Sequence, residues 1–276
     1  MSDSTKSTQP WLLTGKTAVV TGGSRGIGRA IAIHFAKKGL RKLAITYVSS
    51  KTVAESTLNQ CRSFGVEQAI AIHADMLDPG AGSRVISEAL DGLNITTIDI
   101  LVNNAVLTDL KKMVPVAEQT VGVFEDVMRA NVFAPVSLTT AFMNHAPKHG
   151  GRVINISSIA GKLGNTDPVI TYGASKAALE SFTRSFAHSF SSDKGITFNS
   201  VSVGTTATDA LESAKAEMPP GFIDKMIADI SAAPRVGEPE DIAYIVGFLA
   251  SEEGRWINGA AISANGGQRA MLAALG

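Results

Sequence analysis

Short apolar runs alternate along this chain with longer stretches in which apolar positions return every three or four residues. The runs Lys16–Thr21, Lys42–Tyr47, Gln68–Ala74, Ile98–Val102, Arg152–Ile156, Ile196–Val201 and Gly259–Ala264 read as strands. Between them, helical spacing covers about Arg25–Lys38, Ser50–Phe64, Val85–Leu90, Phe124–Ala141, Tyr172–Phe190 and Glu238–Phe248. Strand and helix alternate throughout, which predicts a doubly wound α/β sandwich around a parallel sheet of about seven strands. Residues 1–14 read as a polar tail with Trp11 and Leu12 tucked against the body, and 15–276 as one domain. Residues 205–233 read as a partly helical flap over the site.

The first strand runs into Gly22-Gly-Ser-Arg-Gly-Ile-Gly28 and then a helix, a βαβ crossover with a glycine-rich turn. Such glycines permit a tight bend and a close approach of backbone to pyrophosphate, and the free amides at the helix start receive the phosphate charge. The spacing of Gly22, Gly26 and Gly28 is G-x-x-x-G-x-G rather than G-x-G-x-x-G. No acidic residue closes the second strand to bind ribose hydroxyls. Tyr47, Val48, Ser49, Ser50 and Lys51 stand there instead, with Arg25 close by in the turn. Hydroxyls beside a guanidinium suit a 2′-phosphate, which favours NADPH.

Further strand ends add candidates. Asp75 and Met76 leave the third strand, where they bracket an adenine ring or Asp75 caps a helix. Asn103, Asn104, Ala105 and Val106 follow the continuous apolar run of a central strand, in the crevice where ligands bind in open α/β sheets. Their amides can touch a cofactor or hold neighbouring strands together. Asn131 interrupts an apolar helix, a costly place for an amide unless it is bonded or holds water, and Pro135 predicts a local distortion there. The stretch from Ser202 to Asp209, with Gly204, Thr206 and Thr208, offers hydroxyls and amides to the carboxamide of a nicotinamide.

Ser157 and Ser158 end the fifth strand, and Tyr172 precedes Lys176 by four residues on the next helix. On one helix face the ammonium favours the phenolate by charge, giving an acid/base pair for carbonyl chemistry. Phe182, Phe186 and Phe190 continue that helix as a packing or subunit-contact stripe.

Composition narrows the classes. Hydrophobic residues are 45% of the 276, enough for a sizeable core, and the one cysteine, Cys61, excludes an internal disulfide framework. Lys+Arg and Asp+Glu are 25 each, so the formal net charge of +0 removes the electrostatic case for a nucleic acid or a membrane surface. The start carries no secretory pattern and no apolar run reaches a membrane span, so a cytoplasmic protein acting on a small molecule is expected.

Taken together, Thr21-Gly-Gly-Ser-Arg-Gly-Ile-Gly28, Asn103-Asn-Ala105, Asn131, Asn155-Ile-Ser-Ser158, Tyr172-x-x-x-Lys176 and the late Asn265-Gly-Gly267 resemble the short-chain dehydrogenase/reductase family from Gly15 to Gly267. The chain is similar in type to NADPH-dependent 3-oxoacyl carrier-protein reductases and fungal polyhydroxynaphthalene reductases. The resemblance implies a Rossmann-type fold, a homotetramer and an NADP(H)-dependent ketoreductase of secondary metabolism that needs no metal. Its catalytic residues would be Asn131, Ser158, Tyr172 and Lys176; Ser158 fits the family spacing with one inserted residue and Ser157 with two. The implied cofactor contacts are Gly22, Ser24, Arg25, Gly26, Ile27, Gly28, Tyr47, Ser49, Ser50, Asp75, Met76, Asn103, Ala105, Tyr172, Lys176, Gly204, Thr206 and Thr208. Val106 and Val203 depart from the family's usual glycine and proline and bear on cofactor geometry. Two other readings are NADP-dependent oxidation of a secondary alcohol and a non-redox protein of the same fold. The flap has no cationic cluster, which favours a small or polycyclic, mostly apolar ketone.

Overall fold

The computed structural model describes residues 9–107, 112–215, 218 and 220–274. Residues 1–8 of the expected tail, 108–111 of the connection before Pro115, and 216, 217 and 219 of the expected flap lie outside the described residues. Each apolar run forms a strand: β1 (Thr17–Val20), β2 (Lys42–Tyr47), β3 (Gln68–His73), β4 (Ile100–Asn103), β5 (Gly151–Ser158), β6 (Ile196–Val203) and β7 (Ala261–Ala264). They make one parallel sheet in the order β3-β2-β1-β4-β5-β6-β7. The order reverses between β1 and β4, so the ends of these two neighbours open a crevice at the switch point.

Helices cover both faces because β1, β4 and most of β2, β5 and β6 are buried. On one face α1 (Gly26–Lys37), α2 (Lys51–Ser63) and α9 (Pro239–Ala250) enclose a core with Phe35, Leu43 and Leu58. The other face carries α3 (Ala81–Gly92), α5 (Ala134–Met143) and α6 (Ile170–Lys194) around Ile98, Phe142 and Phe198. Two short helices, α7 (Asp209–Lys215) and α8 (Phe222–Ala228), follow β6. Among the described residues no helix is long and apolar enough to cross a membrane.

Several expectations need adjustment. The helix expected from Phe124 begins at Val121 as α4 (Val121–Met128), with the Thr120 hydroxyl accepting a hydrogen bond from the Val123 amide at 3.3 Å. Its interruption is a π turn, Arg129–Phe133, centred on Asn131 and followed by Pro135 in the first turn of α5, which has no N–H to donate back into it. Trp11 is 44% exposed; the anchor of that segment is Leu13, fully buried, whose amide donates to the Lys38 carbonyl at 2.8 Å. A final helix, α10 (Arg269–Ala274), was too short for periodicity to reveal.

The sheet-facing stripe of α6 is unusual for its polarity: Ser175, Lys176, Glu180 and Thr183 are all buried there. Burying such groups is unfavourable unless they find partners. Of the phenylalanine stripe, Phe186 stacks on Phe198 at 5.6 Å, whereas Phe182 and Phe190 remain exposed.

Candidate active site

The glycine turn after β1 has the backbone the sequence demanded. Gly22 and Gly26 adopt φ of 62° and 52°, a region side chains disfavour, and a Cβ on Gly28 would run into the Gly22 carbonyl. Two hydroxyls brace the turn: Thr46 Oγ1 accepts from the Gly22 amide at 2.9 Å, and Thr57 Oγ1 donates to the Ser24 carbonyl at 3.0 Å. Arg25 stands at the N-cap of α1 without a capping side-chain bond, leaving the first amides of a twelve-residue helix free to meet an anion. The Arg25 guanidinium reaches Ser49 Oγ at 3.4 Å, which brings positive charge over the end of β2.

These elements line a cavity of about 480 Å³. Of the expected cofactor contacts, Gly22, Ser24, Arg25, Gly26, Ile27, Tyr47, Ser49, Ala105, Tyr172, Lys176, Gly204, Thr206 and Thr208 line it. Gly28, Ser50, Asp75, Met76 and Asn103 are not among its lining residues. Ser50 caps α2, its hydroxyl accepting from the Val53 amide at 3.3 Å. Asp75 closes a local turn onto the Leu77 amide at 2.9 Å, and Met76 is buried in the core on the α3 face. The lining also includes Thr46 and Ala74, which the sequence argument did not name for a ligand, and Asn104 and Asp209, which it placed only within stretches able to meet a cofactor. Their common signal is position, each lying at or just beyond a strand end or at the start of a helix.

The two adjacent asparagines divide their work. Asn103 points into the interior and donates to Asn155 Oδ1 at 2.8 Å and Thr139 Oγ1 at 3.2 Å, tying β4 to β5 and α5. Asn104 instead staples β4 to the glycine turn, its Nδ2 donating to the carbonyls of Thr21 at 2.9 Å and Gly22 at 3.2 Å. Val106 lines the cavity and is 38% exposed, and Val203 also contributes to the wall.

At the far wall Ser158, Tyr172 and Lys176 come together. The Ser158 hydroxyl stands beside the Tyr172 phenol and accepts from the Ala160 amide at 3.2 Å. Ser157 is turned away, its Oγ donating to the Lys176 backbone carbonyl at 3.4 Å. Burial pushes the Tyr172 phenol above its ordinary pKa, and the Ser158 hydroxyl pulls it partly back. The Lys176 ammonium donates to the Ile156 carbonyl at 2.9 Å and lies 5.7 Å from the centre of the Tyr172 ring. Burial brings its pKa down to about 8, against the opposing charge of Glu180.

Asn131 lies behind this trio. Its Oδ1 accepts from the Leu107 amide at 2.8 Å, and its Nδ2 donates to Ser175 Oγ at 3.2 Å. Ser175 in turn donates to the Tyr172 carbonyl at 2.6 Å, so the π turn is coupled to the backbone of the tyrosine. Nothing in the sequence marked Ser175 beyond its place inside Tyr-x-x-x-Lys.

The family model described as enoyl-(acyl carrier protein) reductase matches residues 22–269. The short chain dehydrogenase asqE of Emericella nidulans is 58% identical over 96% of this chain and 98% of its own length. This chain belongs to the short-chain dehydrogenase/reductase family. Within that family, a probable tetrahydroxynaphthalene reductase of Zymoseptoria tritici is 34% identical over 92% of this chain and 94% of its own. The crystal structure of the angucycline C-6 ketoreductase LanV with bound NADP superposes with a TM-score of 0.82 at 36% identity, covering 93% of this chain and 96% of that one. The short-chain dehydrogenase/reductase assignment makes this protein an enzyme and accounts for its single parallel sheet and glycine turn.

Proposed function

We propose that this enzyme reduces a ketone with NADPH, with Tyr172 as proton donor. The observation that carries the reading is the cavity wall where the Tyr172 phenol meets Ser158, with the buried Lys176 ammonium beside it. NADPH fits the opposite side: the uncapped α1 start suits its pyrophosphate, and Arg25 with Ser49 suits its 2′-phosphate. NADP bound to the LanV ketoreductase supports the same choice. When bound, NADPH supplies the hydride.

The chain's own groups do the rest. Ser158 and Tyr172 hydrogen-bond the substrate carbonyl oxygen, and Tyr172 gives it a proton. A phenol whose pKa is raised stays protonated at neutral pH, which suits a donor rather than a base. Lys176 spends one donor on the Ile156 carbonyl and retains two for ribose hydroxyls, while its charge stabilises the phenolate left behind. Asn131 holds the tyrosine's turn of α6 through Ser175 and assists proton resupply.

A small or polycyclic, mostly apolar ketone is the substrate class we favour. The cavity is walled by Val106, Ile156 and Val203 on that side, and relatives are named for tetrahydroxynaphthalene and angucycline ketone reduction. The exposed Phe182 and Phe190 on α6 support self-association into a homotetramer.

The test is Tyr172→Phe, assayed with NADPH against a panel of aromatic ketones. Reduction falls by at least about 10²-fold, within the range of a lost general acid, while NADPH binding persists. Turnover at the unaltered rate would remove the assigned role.

A further inference from the structure

Glu180 has no part in the reading above, yet it is 4% exposed, and its Oε1 is buried without a hydrogen-bond partner among the described residues. A bare carboxylate oxygen in the interior is unfavourable by its own desolvation and calls for compensation. Four residues separate it from Lys176, so the two stack one turn apart on the same face of α6.

The flanks of that face can be told apart. At roughly 100° per residue, Ser175 turns one way from Lys176, toward Asn131 and the π turn. Glu180 turns roughly 40° the other way, the flank on which Ser191 meets Asn258 next to β7. Ser202 lies in register with Ser157, whose hydroxyl faces α6, so Ser202 shares that face of the sheet. Its Oγ is a second buried polar atom without a partner. One flank of the lysine is thus closed by hydrogen bonds, and the other holds a buried carboxylate oxygen without one.

We propose that Glu180 is a positioning residue for Lys176, a buried counter-charge that holds the lysine as an ammonium against the desolvation of its site. β5, β6 and the turn Ile159–Gly161 bring no charged group to the lysine from their near ends. Arg152, at the far end of β5, pairs with Glu252, and Lys162 donates to the Ala261 carbonyl. Asp126 on α4 pairs with Lys112, while Glu125 and Arg129 belong to α4 and the π turn. Glu180 is the charge whose field acts on the Lys176 ammonium. The proposal rests on Lys176 acting as an ammonium beside Tyr172, and its test is read without turnover.

Lysine side chains carrying ¹³C at Cε are titrated by NMR in the cofactor-free protein, with the Lys176 signal assigned through K176R. Glu180→Gln keeps the shape and removes the charge. It moves the Lys176 midpoint down by about one pH unit, a roughly tenfold loss of proton affinity. Glu180→Asp keeps the charge and restores most of the midpoint. An unmoved midpoint in E180Q overturns the proposal, whatever happens to Tm. Should E180Q not fold, E180D gives the second reading, because withdrawing the carboxylate by one methylene lowers the midpoint by about a few tenths of a unit; no movement there overturns it equally. Turnover at the unaltered rate in Tyr172→Phe would instead sink the ketoreductase reading and leave this titration interpretable.

Discussion

The two sides of the cavity are built differently. On the side of α1, the wall consists of strand ends and one helix start, braced by Thr21, Thr46 and Asn104 through hydrogen bonds of about 3 Å. On the other side, the wall is the chain after β6 and the start of the short α7, from Gly204 to Ala210; α8 lies outside the lining and meets the same segment through a long, weak contact of Met226 Sδ with Thr205 Oγ1 at 3.9 Å. The first side is an exact backbone mould with little freedom to change. The second presents side chains on short segments, where shape can vary without disturbing the sheet. A constant cofactor and a variable substrate ask for that division.

The largest effect is expected where the mould is tightest. Gly28→Ala drives its new methyl into the Gly22 carbonyl, and neither backbone can withdraw without distorting the turn. NADPH binding, followed by fluorescence or calorimetric titration, weakens by about 10²-fold, as for a loss of about 2.7 kcal/mol. Binding within twofold of the unaltered protein would mean that the turn is softer than its geometry indicates.

Next comes a matched pair of asparagines. Asn103→Ala strips the buried Asn155 Oδ1 of its donor and costs about 1–3 kcal/mol, a fall in Tm of several degrees at roughly 2–4 °C per kcal/mol. Asn165, half-buried in the loop before α6, donates to the Ala160 and Leu163 carbonyls, which water can reach more readily after Asn165→Ala. That variant loses less than half as much by the same melting measurement. Equal losses would erase the contrast between sheet and loop.

pH separates scaffold from site. His34 packs edge-on against Tyr244 at 5.1 Å between α1 and α9, and burial with the charges of Lys38 and Lys37 lowers its pKa to about 4 from 6.5. The unfolded chain therefore takes up the proton first as pH falls. The stability from neutral His34 is complete above about 6.5 and drains away between 6.5 and 4. Partial exposure makes the loss smaller than the full shift implies. Melting curves across this window fall for the unaltered protein and are flatter for His34→Phe; parallel curves would dismiss His34 as the source.

The same division explains what was legible in the sequence. Strand runs and the glycine turn announce themselves because a parallel sheet buried on both faces demands continuous apolar residues, and a phosphate turn demands positive φ at Gly22 and Gly26. The Tyr172 and Lys176 spacing gained meaning only from the family resemblance, which also implied Ser158 rather than Ser157; Ser158 stands beside the phenol, and the Ser157 hydroxyl turns to the Lys176 carbonyl. Asn103 and Asn104 were not separable, because which amide faces inward depends on how the strand ends rather than on residue type. Asp75 and Met76 were open for a related reason: a strand exit looks alike whether its residues meet a ligand or close a turn and a core. Glu180 was invisible, since a glutamate on a helix reads as solvent-facing until the sheet beneath it is placed.

The smallest effect on stability, and the most selective one, is expected in the flap. Phe222 opens α8 and is 41% exposed, so Phe222→Ala removes little buried area and Tm changes by less than about 1 °C, as for an exposed position. If α8 closes over the ketone, the lost ring surface raises KM by about 5- to 30-fold, the range of roughly 1–2 kcal/mol of apolar contact, with NADPH affinity unchanged. Bulkier polycyclic ketones would feel the change more than small ones, because α8 contributes no residue to the cavity lining and only a substrate that outgrows the cavity can reach it. A uniform drop in kcat across substrates of every size would instead tie α8 to the chemical step and remove the division of labour between the two walls.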